Sequence, residues 1–149
     1  MVLPGVQQKE EEIAAATENG QPLEVLPSKN EPEVILLVED EPAMRFLMTS
    51  YLQRAGHIVF SVETSQEAIE EYGQLHDTIT VIIMDVGLPD ASGPQCVSRL
   101  LEIDPDVAVV YVSGLLFEED QLVPPASPLL MKPFTSCQLE EAVRNAIKK

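Results

Sequence analysis

With 25 acidic against nine basic side chains in 149 residues, and a formal charge of −16 at pH 7, the chain lacks the Lys and Arg that neutralise phosphates in nucleic-acid binding, which argues against DNA or RNA as a direct partner. Cys96 and Cys137 stand outside any CxxC or Cys/His pattern, which argues against a disulfide framework or a zinc site. No signal-peptide pattern and no apolar run of roughly eighteen residues is present, so the chain reads as soluble and cytoplasmic, without membrane contact of its own.

Residues 1–33 carry seven of the acids and mix them with Pro, Gly, Ser and Asn without a lasting apolar period, the composition of a flexible acidic linker. The remainder, 34–149, reads as one domain. With 5% aromatic residues and no Trp, its core falls to Val, Ile, Leu and Ala. VILLV at 34–38 has no polar face, as a strand covered on both sides requires. Pro42 then suits the first turn of a helix in which Met44, Leu47, Met48, Tyr51 and Leu52 face inward, and Gly56 ends it.

HIVFSV at 57–62 is a second strand. TSQEAIEEYGQL is a helix opened by a Thr64-x-x-Glu67 capping box, with Ala68, Ile69, Tyr72 and Leu75 inward. TVIIM at 80–84 is a third strand, and Pro94 begins a helix burying Val97, Leu100, Leu101 and Ile103. VAVVYV at 107–112 is the fourth strand. Pro124, Pro125 and Pro128 then limit any helix over 115–128 to a short, irregular one. LLM at 129–131 makes a brief fifth strand, and a helix from about Thr135, with a Thr-x-x-Gln box, buries Leu139, Ala142, Val143, Ala146 and Ile147.

Strands alternating with helices at this spacing imply right-handed crossovers and a parallel sheet with helices on both faces. The predicted architecture is therefore α/β, a doubly wound, flavodoxin-like (βα)5 fold of strand order 2-1-3-4-5, whose ligand site lies beyond the carboxyl ends of the strands. Those ends carry Glu39 and Asp40, Asp85, Ser113 and Lys132. Three carboxylates together repel unless a cation sits among them. Mg2+ suits oxygen ligands and keeps several waters, so Asp40 and Asp85 would bind it directly, Glu39 through water, and the Gly87 carbonyl if the loop after Asp85 curls back, a turn that a glycine permits. Phosphoryl transfer needs an in-line nucleophile and positive groups around the phosphoryl oxygens. Asp85 supplies the first, with Lys132 as a mobile charge, Ser113 as a hydroxyl, and Gly114 as space with an N–H nearby.

In VEDE at 38–41, MDVGLPDASG at 84–93, VSG at 112–114 and MKPF at 131–134 the chain resembles the receiver domains of two-component response regulators, over about residues 33–149. The resemblance implies that Asp85 accepts phosphate from a phosphohistidine on a histidine kinase or histidine phosphotransfer domain, with Mg2+ required. It also implies a cis bond between Lys132 and Pro133. Two departures stand out. Receivers carry Tyr or Phe three residues before the lysine as a switch, where this chain has Leu129, and the fourth helix, a common dimerisation surface, looks reduced. A monomer is predicted. MVLPGVQQ at 1–8 is similar to the closing strand of a histidine-kinase ATP-binding domain, which suggests the C-terminal receiver of a hybrid kinase; on that reading the parent chain would be membrane-attached and an enzyme, while the receiver assists only its own phosphorylation and dephosphorylation.

Each residue alone has a plainer reading. An Asp or Ser after a strand is usually a cap or loop residue, and Glu39 and Asp40 could merely cap a helix. The ordered set of five outweighs those readings. His57 and His76, with no ligand partners at spacing, read as solvated surface residues, and Met44, Met48, Met84 and Met131 as core filler. Two alternatives stand beside the phosphoacceptor: a phosphorylation-independent pseudo-receiver acting as an interaction module, suggested by Leu129, and an enzyme on the same sheet. A haloacid-type phosphatase would want an acid where Gly87 stands, and a flavin-phosphate loop would not hold the acids of EDEP.

Overall fold

Aliphatic runs become central strands here because both their faces are covered. The computed structural model describes residues 31–114, 121–125 and 127–147. The kinase-like reading of residues 1–8, the linker reading of 1–33 as far as residue 30, and the short-helix reading of 115–128 over residues 115–120 and 126 lie outside them. The strands are β1 (Val34–Val38), β2 (Ile58–Val62), β3 (Val81–Asp85), β4 (Ala108–Ser113) and β5 (Leu129–Met131). The helices are α1 (Pro42–Arg54), α2 (Ser65–Leu75), α3 (Gly93–Ile103) and α4 (Ser136–Ile147). The strands pair in parallel in the order β2-β1-β3-β4-β5, the predicted 2-1-3-4-5 arrangement.

Alternation along each strand splits the core in two. Leu36, Val38, Ile82, Met84, Val109 and Tyr111 pack with Ala68 and Tyr72 of α2 and Cys96, Val97 and Leu100 of α3. Ile35, Leu37, Val81, Ile83, Val110 and Val112 pack on the other face with Met48 and Leu52 of α1 and Leu139, Ala142, Val143 and Ala146 of α4. Each fully buried aliphatic side chain contributes about 1.5–3 kcal/mol relative to exposure.

The helix ends follow local chemistry. Gly56 adopts φ 98° after α1, a left-handed conformation that costs glycine little. The Thr64 hydroxyl accepts the Glu67 N–H, while the Glu67 carboxylate returns to the N–H of Glu63, one residue earlier than a regular box. Thr135 and Gln138 exchange both capping bonds at α4. A further box joins Ser92 and Gln95, so α3 starts at Gly93 rather than at Pro94.

Several inward assignments are corrected. Leu47 is 40% exposed beside the exposed Phe46, because α1 lies near the sheet edge and its apolar stripe is narrower than the spacing implies. Ile147 and Met131 are also exposed, at the end of α4 and on the edge strand. His57 is buried, not solvated. Its Nδ1 accepts the Glu33 N–H at 2.9 Å and its Nε2 lies 2.9 Å from a Glu140 carboxylate oxygen, so the ring ties the start of β1 to α4. His76 is half-buried and lies 3.3 Å from the Asp77 carboxylate. Cys96, buried, and Cys137, exposed, are both free thiols. Among the described residues no helix is long and apolar enough to cross a membrane.

Candidate functional site

Parallel pairing brings the carboxyl ends of the strands to one edge. In the ladder Val38 stands opposite Met84, Asp85 opposite Val112, and Ser113 opposite Met131. Glu39 and Asp40, just past β1, therefore meet Asp85 at the end of β3, Ser113 at the end of β4 and Lys132 just past β5. Ligand-capable oxygens of Glu39, Asp40 and Asp85 all lie within 4.8 Å of one another. The Lys132 ammonium is 3.1 Å from Glu39 Oε1 and 3.9 Å from Asp85 Oδ2.

Glu39 and Asp85 are buried and Asp40 is exposed, so the cluster opens to solvent on one side. The Asp85 carboxyl is pushed up to about 7, first by burial and then by the Glu39 charge; Lys132 and the Gly87 N–H act in the opposite direction. Glu39 is held by its own turn: Oε2 accepts the Glu41 N–H, and its backbone carbonyl accepts from Arg45 Nη1 at 2.8 Å. The Ser113 carbonyl takes the Lys132 N–H at 2.8 Å, which fixes the base of the lysine. A Cβ at Gly114 would stand 3.7 Å from Lys132 Cδ, so that glycine adjoins the lysine stem.

The loop after Asp85 does curl back. Gly87 bridges to Ser92, the Val86 carbonyl accepts the Gly93 N–H at 2.6 Å, and the Gly87 N–H donates to Asp85 Oδ1 at 3.3 Å. The glycine the turn requires is another one, however. Gly87 has no left-handed φ and open space around its Cβ position, whereas a Cβ on Gly93 would lie 2.6 Å from the Asp85 carbonyl oxygen. Leu129 lies in register opposite Tyr111, a buried aromatic whose hydroxyl donates to the Val123 carbonyl at 2.6 Å. Both Lys132–Pro133 and Val123–Pro124 are cis.

Two residues around the site carried no assigned role in the sequence reading. One is Arg45, which reaches from α1 to Glu39. The other is Asp90, whose carboxylate accepts the N–H groups of Ser65 and Gln66 at 2.9 and 3.0 Å; those bonds, Ser65 foremost, hold its pKa below the usual range. Asp90 lies inside the quoted MDVGLPDASG, yet nothing local marks a partner 24 or 25 residues away.

The three-carboxylate set fits a hard divalent cation: its donors are all oxygens, one side is open for water, and burial with the Glu39 charge raises the Asp85 carboxyl, a penalty that a nearby cation would offset. The sequence model of the response regulator receiver domain matches residues 35–144. The chain belongs to that family. Receiver domains bind Mg2+ at an acidic pocket, and Glu39, Asp40 and Asp85 form one here.

Among relatives of this receiver, the sensor kinase CckA of Brucella abortus is 32% identical over 120 residues, 77% of this chain but 12% of CckA, so the chain spans a small part of that protein. A receiver protein from Sinorhizobium medicae is 33% identical with a TM-score of 0.71, over 79% of this chain and 96% of that one. The Thermotoga maritima regulator TrrA, solved with Mg(2+)-BeF, superposes with a TM-score of 0.68 over 76% of this chain and 98% of its own at 23% identity, a likeness of fold.

Proposed function

We propose that this receiver takes a phosphoryl group from a phosphohistidine onto Asp85, with Mg2+ held by Asp40 and Asp85 directly, by Glu39 through water, and by the Gly87 carbonyl. The observation that carries the reading is Lys132 Nζ, within 3.1 Å of Glu39 and 3.9 Å of Asp85, at the rim of the carboxylate cluster. An Asp85 oxygen attacks phosphorus in line as the bond to the donor imidazole nitrogen breaks and that nitrogen keeps the electron pair. Lys132 exchanges its contact with Glu39 for a phosphoryl oxygen, while the Ser113 hydroxyl and the Gly114 N–H donate to the others. Bound Mg2+ would neutralise the carboxylates and the phosphoryl charge. TrrA, a protein of the same fold solved with Mg(2+)-BeF, supports this assignment of the pocket.

Similarity to part of a sensor kinase supports placement as the receiver of a hybrid histidine kinase, fed by a kinase or phosphotransfer domain. We further propose that the receiver works as a monomer and touches neither nucleic acid nor membrane. The test is Mg2+-dependent labelling with acetyl phosphate. Wild type should incorporate one phosphoryl group, and none when EDTA precedes the donor; an unlabelled wild type, or Asp85→Ala labelling equally, defeats the reading. Leu129 in place of the switch aromatic favours a second reading, a pseudo-receiver that binds partners irrespective of phosphate. It fails if phosphorylation shifts backbone amides around Val123 and Leu129.

A further inference from the structure

The loop of residues 86–92 is fastened at two points. Its base is closed by Gly93, whose lack of a side chain admits the Asp85 carbonyl and whose N–H reaches the Val86 carbonyl. Its tip is fastened outside the loop, where Asp90 sets one carboxylate oxygen on the Ser65 N–H at 2.9 Å and the other on the Gln66 N–H at 3.0 Å. Those are the first two residues of α2, and the Glu67 N–H is already taken by Thr64. Asp90 and Thr64 thus divide the open donors of one helix end, one from a distance and one locally. Ser65 is buried, and its carbonyl faces the Cys96 thiol of α3, so this helix end is itself a firm support.

Between the two fastenings lies Gly87, whose N–H sits on the Asp85 carboxylate. Gly87 has no side chain to pack, so its backbone is placed by the bridge to Ser92 at the base of the loop and by whatever holds the loop's tip. We propose that Asp90 is a positioning residue for the acidic site: by tying the loop to α2, it holds the Gly87 backbone where it serves Asp85 and the divalent cation. The inference rests on the functional reading above and adds a determinant of it that touches neither the cation nor phosphate. Groups that orient a ligand from outside the coordination shell change metal affinity by about tenfold or more when removed.

The test is a Mg2+ titration of the full chain followed by the amide signals of Gly87, Ser65 and Gln66. Asp90→Ala should weaken Mg2+ binding by about tenfold and speed Gly87 amide exchange. Thr64→Ala removes the other cap of the same helix and should leave Mg2+ affinity unchanged, which separates positioning from helix stability. Should Asp90→Ala fail to fold, Asp90→Asn, which keeps one acceptor, is titrated instead, with a smaller loss of affinity expected. Wild type without saturable Mg2+ binding removes the functional reading and this inference with it. Wild type binding normally while the Asp90 variant binds as tightly, or Thr64→Ala weakening binding as much as Asp90→Ala, overturns the inference alone.

Discussion

Asp85, the proposed phosphoacceptor, sits in a burial that resists its ionisation. Its folded pKa of about 7 stands above the ordinary 3.8, so between those values the native protein keeps a proton that the unfolded chain has released. Native protein binding more protons means that stability falls as pH rises through this window, and the loss is complete above about pH 7. In EDTA, the urea midpoint of wild type should therefore drop across that same window, from roughly pH 4 to 7. Asp85→Asn removes this contribution, so it should flatten part of that drop and raise Tm at the higher pH by about 3–6 °C per kcal/mol relieved. Parallel pH curves for the two proteins would count against the assignment. Lys132 balances the same cluster from the other side. Lys132→Ala leaves the buried Glu39 without its cation and should cost about 1–3 kcal/mol. It should also slow acetyl phosphate labelling by about 100-fold. Lys132→Arg keeps the charge but not the compact ammonium, so it should restore stability better than labelling rate.

At the scale of elements, close approach decides what the loop after β3 tolerates. Gly93→Ala would drive a Cβ to 2.6 Å from the Asp85 carbonyl oxygen and 2.9 Å from Val86 Cα. Backbone on both sides cannot rotate away, so urea denaturation should show a loss of about 1–3 kcal/mol. Gly87→Ala meets nothing within 4 Å and should cost far less, which reverses the weight the sequence reading placed on these two glycines. That contact was not legible because it depends on where the loop closes, and residue types do not report that. The Thr135 cap was legible in full and the Thr64 cap in half, because an oxygen-bearing side chain and a Glu or Gln three residues on meet within one turn. The equivalent Ser92–Gln95 box went unread behind Pro94. His57 was not, since its partners Glu33 and Glu140 lie 24 and 83 positions away. Replacing it with Ala strands the Glu33 N–H and uncovers Glu140, so His57→Ala should cost about 1–3 kcal/mol in the same assay while leaving Mg2+ affinity intact.

For the whole molecule, the convergence of Glu39, Asp40, Asp85, Ser113 and Lys132 was legible for a topological reason. A doubly wound parallel sheet delivers the carboxyl end of every strand to one edge, so a residue's place after its strand is already a place in the site. What the pattern left open was which side of each helix meets the sheet near its margins, as Leu47 shows. The same convergence concentrates negative charge in a chain already at −16, and this shapes how cations act on stability. Monovalent salt can only screen, a gradual effect that does not saturate at a stoichiometric ratio. A cation that binds the native pocket and not the unfolded chain stabilises by RT ln(1 + [L]/Kd), about 2.7 kcal/mol at 100 times Kd. Melts against a constant background of potassium chloride should therefore show a Tm that rises with Mg2+ along that logarithmic curve. Because the incoming ion displaces the proton that Asp85 holds, the rise should be smaller near pH 5 than near pH 7.5. Asp40→Asn and Asp85→Asn should each abolish most of it. A rise that persists in both variants would mean that Mg2+ screens the acidic surface and does not enter the pocket.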